Sequence, residues 1–310
     1  MILTIVPNPS LDKTALVPGF ELGRTFRVSE PLGLAGGKAF NFARAVHTLG
    51  EQPLVVGPLG GHIGQLLIDL ATAEGLVCDP VTIEGETRTC LTIVDPETHC
   101  ITELYERGPG IEAGVWERLV ATATRHLPQS RWMAISGSCP PGTPETGLRQ
   151  LVEQAQAAGV PALLDTYGPQ LVHALVAGPR LVKINQHEAA GVVGRPVETG
   201  DTAVEAAAEI QARGAQAVII TLGKQGAAGV DQRGERFGWA APDIAGMFPI
   251  GSGDSLFGGV VAGLAHGQTL AQALRLGVAV GAANTLQMGA GVFDPAEVDR
   301  LLPQVQPLAM

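Results

Sequence analysis

From Ala113 onward the chain alternates between segments of helical and of strand periodicity, and this restricts its fold more than any other feature. Helical patterns over 113–126, 145–158, 169–176, 202–212, 252–266, 270–287 and 295–302 enclose strand patterns at Trp132–Ser136, Ala162–Asp165, Leu181–Ile184 and Ala217–Leu222. Strands that alternate with helices predict a mostly parallel sheet covered on both faces, hence an α/β fold. Leu3–Val6 and Leu54–Gly57 read as two earlier core strands, the first ending in a turn from Pro7 to Lys13 that puts Asp12 at a strand's C-terminal edge, and Ala228–Asp231 with Arg236–Ala240 as an antiparallel pair on one edge. Two insertions, about 12–34 and 86–106, lack a helical period. The second alternates, turns at Asp95-Pro96 and resumes, so the two predict a small β-sheet lid on a single domain spanning 1–310.

Composition narrows the function. A net charge of −10 argues against nucleic acid or an anionic membrane as the main partner, so a phosphate-bearing ligand must be held by local donors. Mean hydropathy is high, at +0.22. Gly, Pro or a charge nonetheless interrupts every apolar run before it reaches a membrane span, and the first residues do not resemble a signal peptide, so a cytoplasmic protein is expected. The four cysteines show no CxxC spacing and the seven histidines form no HxxxH pair, so neither disulfides nor zinc are signalled.

The stretch that points to chemistry is Gly251-Ser252-Gly253-Asp254, which follows Pro249 and feeds an apolar helix. Free N–H groups and the aligned peptide dipoles at a helix start favour an anion, and glycines let the backbone approach it. A carboxylate in such a turn repels a bound phosphate unless it removes a proton from the attacking group; the alternative is that Ser252 or Asp254 caps the helix. Gly36-Gly37-Lys38 repeats the device, either as a second anion site or as a helix start with a solvated lysine. Polar residues gather where strands end: Ser136-Gly137-Ser138, Asp165-Thr166, Lys183 to Asn185 with Glu188, and Thr221 to Gly226. In an open α/β sheet those ends form the ligand crevice.

The order of these motifs resembles the PfkB (ribokinase-like) carbohydrate kinase family, in the branch of 1-phosphofructokinases, tagatose-6-phosphate kinases and minor 6-phosphofructokinases. Gly251 to Asp254 is similar to its GAGD/GSGD motif, Gly36 to Arg44 to GGKGxNxAR, Ser136 to Gly142 to SGSxPPG, Asn185 to Glu188 to NxxE, and Asn8 to Asp12 to NPSLD. The resemblance implies a three-layer αβα sandwich with a β-sheet lid, and ATP-dependent phosphorylation of a hexose phosphate. It implies Asp254 as base and Gly251, Ser252 and Gly253 as anion hole. Asn185 and Glu188 would organise Mg²⁺, and Lys183, Asn185, Thr221, Gly223 and Gly226 would face ATP. Asp12, Gly37, Lys38 and Asn41 would hold the sugar, while Arg24, Arg88 and Ser138 would hold its phosphate. A homodimer packed through the lids is expected, because the outer lid face would otherwise expose Leu91, Ile93 and Leu104. A kinase for an unphosphorylated sugar or nucleoside, and a non-catalytic binding regulator, are the alternatives. Ala39, Cys90 and Tyr105 depart from the family pattern.

Overall fold

Successive strand residues point to opposite faces, and the computed structural model, which describes residues 1–310, buries both sets. Leu3, Met133, Leu164 and Val182 enter one apolar layer with Leu119, Leu151, Leu171 and Ile210 of the helices above it. Ile2, Ala134, Leu163 and Ile219 enter a second layer with Phe42, Phe257, Leu274 and Leu301 below. The outcome is the expected three-layer αβα arrangement.

The main sheet has ten strands. Val77–Cys78, Pro53–Val56, Ile2–Ile5, Trp132–Ser136, Ala162–Asp165, Leu181–Asn185 and Val218–Thr221 follow one another in parallel. Ala227–Val230, Arg236–Ala240 and the outermost Gln306–Pro307 then add on in antiparallel. Most boundaries agree with the sequence reading within two residues. The helix Gln186–Val193 was not anticipated: it buries only Ala189, so it carries no apolar stripe to read. No helix is long and apolar enough to cross a membrane.

A separate four-stranded sheet runs Leu32–Gly36, Ser10–Leu16, Arg88–Asp95, Cys100–Tyr105. It corrects two expectations. Pro7 to Lys13 is not one long turn, and Asp12 does not lie at the edge of the main sheet: Pro7 and Pro9 interrupt the chain only briefly, and Asp12 sits inside the first lid strand. The insertion 12–34 contributes strands only at its two ends, since residues 17–31 have no regular structure. On the outer face Leu91 and Ile93 are half-buried and not exposed as expected, because their strand is central, with Lys13 and Ala15 paired on one side and Leu104 and Thr102 on the other. Leu104, Leu16, Leu22 and Val28 are the exposed aliphatic side chains of this region, Leu22 at 88%.

Candidate active site

The parallel strands ending at Ser136, Asp165, Asn185 and Thr221 deliver their following loops to one rim. Those loops, the start of the helix Ser252–Ala265 and the inner face of the small sheet enclose a cleft of roughly 1150 Å³. Asn8, Asp12, Gly37, Lys38, Asn41, Arg88 and Ser138 line one part, and Lys183, Asn185, Thr221, Gly223 and Gly226 another, with Gly251 to Asp254 also in the wall.

The helix start at Ser252 is built for an anion. Gly251 takes φ 79°, and a Cβ there would collide with Ala290, so only glycine allows both the turn and the packing behind it. The Ser252 N–H is already bonded to the Pro249 carbonyl, and the helical ladder begins with Ser255 N–H to the Gly251 carbonyl. The amides of Gly251, Gly253 and Asp254 have no acceptor. Asp254 N–H is thus open where that of Ser252 had been expected to be, because the Pro249 turn occupies the serine amide.

Asp254 is 6% exposed, and Asn41 Nδ2 donates to its Oδ2 at 2.9 Å. Burial, then the neighbouring Asp165 carboxylate, push its pKa up to about 7, against the opposing pull of Lys183, Lys38 and the Asn41 hydrogen bond. A carboxylate poised there is half ionised at neutral pH and accepts a proton with little driving force wasted.

Beneath it lies an ion-pair hub. Asp165, fully buried, accepts from Lys183 Nζ at 3.0 Å and Lys38 Nζ at 3.2 Å, and Lys38 also reaches Glu188 Oε1 at 3.0 Å. Burial alone would raise the Asp165 pKa, but Lys183 and Lys38 outweigh it and hold the carboxyl below its usual range. Lys38, expected on the sugar, thus bridges two acids, with its ammonium 5.7 Å from the Tyr167 ring centre. Lys183 lies against Gly253, so close that a Cβ there would come within 3.1 Å of Nζ. Asp165 was legible as a rim residue but not as the hub; an acid closing a fully apolar strand, with lysines nearby in the pattern, was the available signal. Tyr167 carried none.

Asn185 caps the helix Gln186–Val193: its Oδ1 accepts from the N–H groups of His187 and Glu188, each at 2.9 Å. Glu188 Oε2 returns the favour by accepting from Asn185 N–H at 2.9 Å. The spacing NxxE is therefore first a capping box. With the Asn185 oxygen so occupied and no group of three or more His, Cys, Asp or Glu able to enclose a metal, these residues fit only an ion that takes most of its ligands from phosphate and water.

At the lid end, Ser10 Oγ and Gly37 N–H donate to the two oxygens of Asp12, at 2.6 and 3.1 Å. Gly36 leaves the space that this carboxylate fills. Burial raises the Asp12 pKa despite those donors. Arg88 spends donors on the carbonyls of Asn8, Pro9 and Glu106, and Asn8 Nδ2 donates to Ser138 Oγ at 3.2 Å. Arg24 is not brought to the cleft: it stands in the irregular stretch 17–31, paired with Glu21 at 2.7 Å and 67% exposed, because the bonds that tie that excursion to the small sheet lie at its start, where Val17 is buried and Gly19 N–H donates to Asp95 Oδ1. Of the departures from the family pattern, Ala39 turns into the core, whereas Cys90 and Tyr105 line the cleft.

The sequence profile of the pfkB family carbohydrate kinases matches residues 12–297. The 1-phosphofructokinase of Haloferax volcanii is 34% identical over 279 residues, covering 90% of this chain and 88% of its own. A tagatose-6-phosphate kinase of Staphylococcus epidermidis is 29% identical over 310 residues, 99% of both chains. The Escherichia coli phosphofructokinase-2, solved in complex with substrates and products, superimposes with a TM-score of 0.87 at 29% identity over 97% of each chain.

Proposed function

Because the chain belongs to the pfkB family of carbohydrate kinases, we propose that it transfers the γ-phosphoryl group of ATP to a hydroxyl of a hexose phosphate: fructose 1-phosphate, fructose 6-phosphate or tagatose 6-phosphate. The observation that carries this reading is one cleft holding a buried carboxylate poised near pH 7 beside the open amides of a helix start. Asp254 takes the proton of the sugar hydroxyl as that oxygen attacks. The amides of Gly251, Gly253 and Asp254 meet the charge that grows on the transferred group, and they need no reorganisation to do so. Lys38 and Lys183 lie beside the same point, held by Asp165. Thr221, Gly223 and Gly226 form the nucleotide loop.

Glu188 is the residue that would hold Mg²⁺, directly or through water, with Asn185 fixing it through the capping box. Such an ion neutralises phosphate charge. Asp12, Gly37 and Asn41 orient the sugar, and Arg88 with Ser138 receives its phosphate through the donors that Arg88 has left. On this reading residues 1–310 are one domain, with the small sheet as its lid. The chain pairs with a second copy through the outer lid face, where Leu104 stands exposed opposite Leu91. A monomeric mass by sedimentation at micromolar concentration, with full activity, would count against the dimer.

One observation favours a second reading, a kinase of unphosphorylated sugars. Arg24 lies outside the cleft and Arg88 is partly engaged by backbone, so the phosphate end is less furnished than the base end. ADP production measured with the three hexose phosphates and with free sugars separates the two. A free sugar turned over more efficiently than every hexose phosphate would overturn the main reading.

A further inference from the structure

Arg44 is the most fully engaged side chain near the site, yet it does not itself line the cleft. It is 7% exposed. A guanidinium has five N–H donors and no acceptor. Here each has a partner: Nε to Glu74 Oε2 at 2.6 Å, Nη2 to Glu74 Oε1 at 3.0 Å and to the Ala35 carbonyl at 2.8 Å, Nη1 to the Ala290 carbonyl at 2.7 Å and to Asn41 Oδ1 at 3.4 Å. The planar fork cannot turn without losing several of these at once.

The contact with Asn41 matters most. A carboxamide presents an oxygen on one side and an N–H₂ on the other, and either can face a carboxyl group: the N–H₂ suits the carboxylate, the oxygen suits the protonated acid. Arg44 can only donate, so it draws Oδ1 of Asn41 to itself and leaves Nδ2 for Asp254. Two further anchors lock the device in place. Ala35 lies in the strand Leu32–Gly36 of the small sheet, and Ala290 belongs to the turn that backs Gly251 at the anion hole.

We infer that Arg44 is a positioning residue: it fixes which face of the Asn41 carboxamide meets Asp254, and so favours the ionised form of that acid. The charged groups around Asp254 are Asp165 and Lys183 from the main sheet and Lys38 from the helix that also carries Asn41 and Arg44, and all of them remain in place when Arg44 is changed. Without Arg44 the carboxamide is free to turn its oxygen toward Asp254. The donor to the carboxylate is then lost for part of the time, and the Asp254 pKa rises further.

The inference rests on the reading of Asp254 as base only where kinetics are concerned, so the primary test does not use activity. The Asp254 carboxyl is titrated by ¹³C NMR in the full chain without substrates, its resonance assigned by its absence in Asp254→Asn. Loss of one hydrogen bond to a charged group should move the midpoint upward by about one unit in Arg44→Gln. Asn41→Leu should move it by a similar amount, and the double variant no further, because both act through one contact. Glu74→Gln, which keeps the Arg44 bond to Asn41, should leave it in place. If Arg44→Gln does not fold, Arg44→Lys takes its place, since a lysine can pair with Glu74 but cannot reach all the other acceptors. An unmoved midpoint in the Arg44 variant, or shifts that add in the double variant, overturns the inference. A moved midpoint with an unmoved acid limb of kcat/KM would sustain it and remove Asp254 from the role of base.

Discussion

The floor of the cleft and its lid obey different rules. Around Asp254 and Asp165 the polar groups are buried and already partnered within this one chain. In the lid, Arg24 is paired only with a neighbouring glutamate in solvent, Tyr105 is 59% exposed and the stretch 17–31 has no regular structure. The floor is thus preorganised, as stabilising a transition state requires, while the lid leaves much of its geometry to whatever it closes upon. The two should respond differently to substitution: the floor in turnover and stability, the lid in affinity.

The largest effect is expected at Asp254. Asp254→Asn should lower kcat by about a hundredfold to ten-thousandfold, because the amide keeps the shape but cannot take the proton. ATP binding by calorimetry should hold. A variant retaining more than a tenth of the activity would show that another group is the base. In the native chain the rate should rise with pH through about 7 as the carboxyl ionises. Stability should run the other way. An acid whose pKa is raised on folding binds its proton more tightly in the native state, so its contribution falls as pH rises from about 4 to 7. Asp254→Asn should therefore melt higher than the native chain at pH 8, and a lower melting point would contradict the burial penalty assigned to it.

Next comes Asp165. Asp165→Asn leaves Lys183, 3% exposed, without a counter-charge. Breaking a buried pair in this way costs about 3–5 kcal/mol, measurable by urea unfolding. The Asp165 pKa is depressed on folding, so its stabilisation is present above the unfolded value near 3.8 and is lost as pH falls through the lower folded value. An unchanged unfolding midpoint would mean that Lys183 finds another partner and that the floor is less committed than its geometry implies.

Lid variants sharpen the other side. Arg88→Ala should raise the KM for the hexose phosphate roughly tenfold to a hundredfold, from one or two lost charge-assisted contacts, with the KM for ATP nearly unmoved. An unchanged sugar-phosphate KM would remove the phosphate from this end of the cleft. Arg24→Ala is expected to have the smallest effect, a few-fold at most, since its exposed pair with Glu21 is worth little. A rise as large as that of Arg88→Ala would break the comparison, because it would mean that lid closure or a second chain carries Arg24 to a cleft.

The same division explains what could be read from the sequence. The helix start at Gly251 and the strand ends at Ser136, Asp165 and Thr221 announce themselves through glycines, periodicity and short turns, which are local properties. Asp12 was misplaced because its turn-forming neighbours Asn8 and Pro9 hid a lid strand whose pairing with Arg88–Asp95 lies far along the chain. Asn185 and Glu188 were read for the metal, and Asn185 for ATP as well, while their first task is to start a helix too short and too exposed to show a stripe. The hub at Asp165 left only a faint signal in the sequence, and the donors of Arg44 left none. Both depend on groups brought together from segments more than a hundred residues apart, Lys38 with Asp165 and Arg44 with Ala290. Arg24 failed for the opposite reason: a charged residue in an insertion says nothing about which way the insertion lies.

The ends of the main sheet bear on handling the protein. An open sheet of ten strands offers two rows of unpaired backbone groups on which a misfolded chain could grow into a fibril. On one flank the last strand is only Val77–Cys78, too short to hold an added strand in register. On the other it is Gln306–Pro307, only two residues long, and Pro307 offers no N–H to a further strand. A shortened protein that lacks Gln306 to Leu308 would uncover Gly238 to Ala240, with Trp239 among them, along the longer strand Arg236–Ala240, and would be the form to avoid when preparing the enzyme at high concentration.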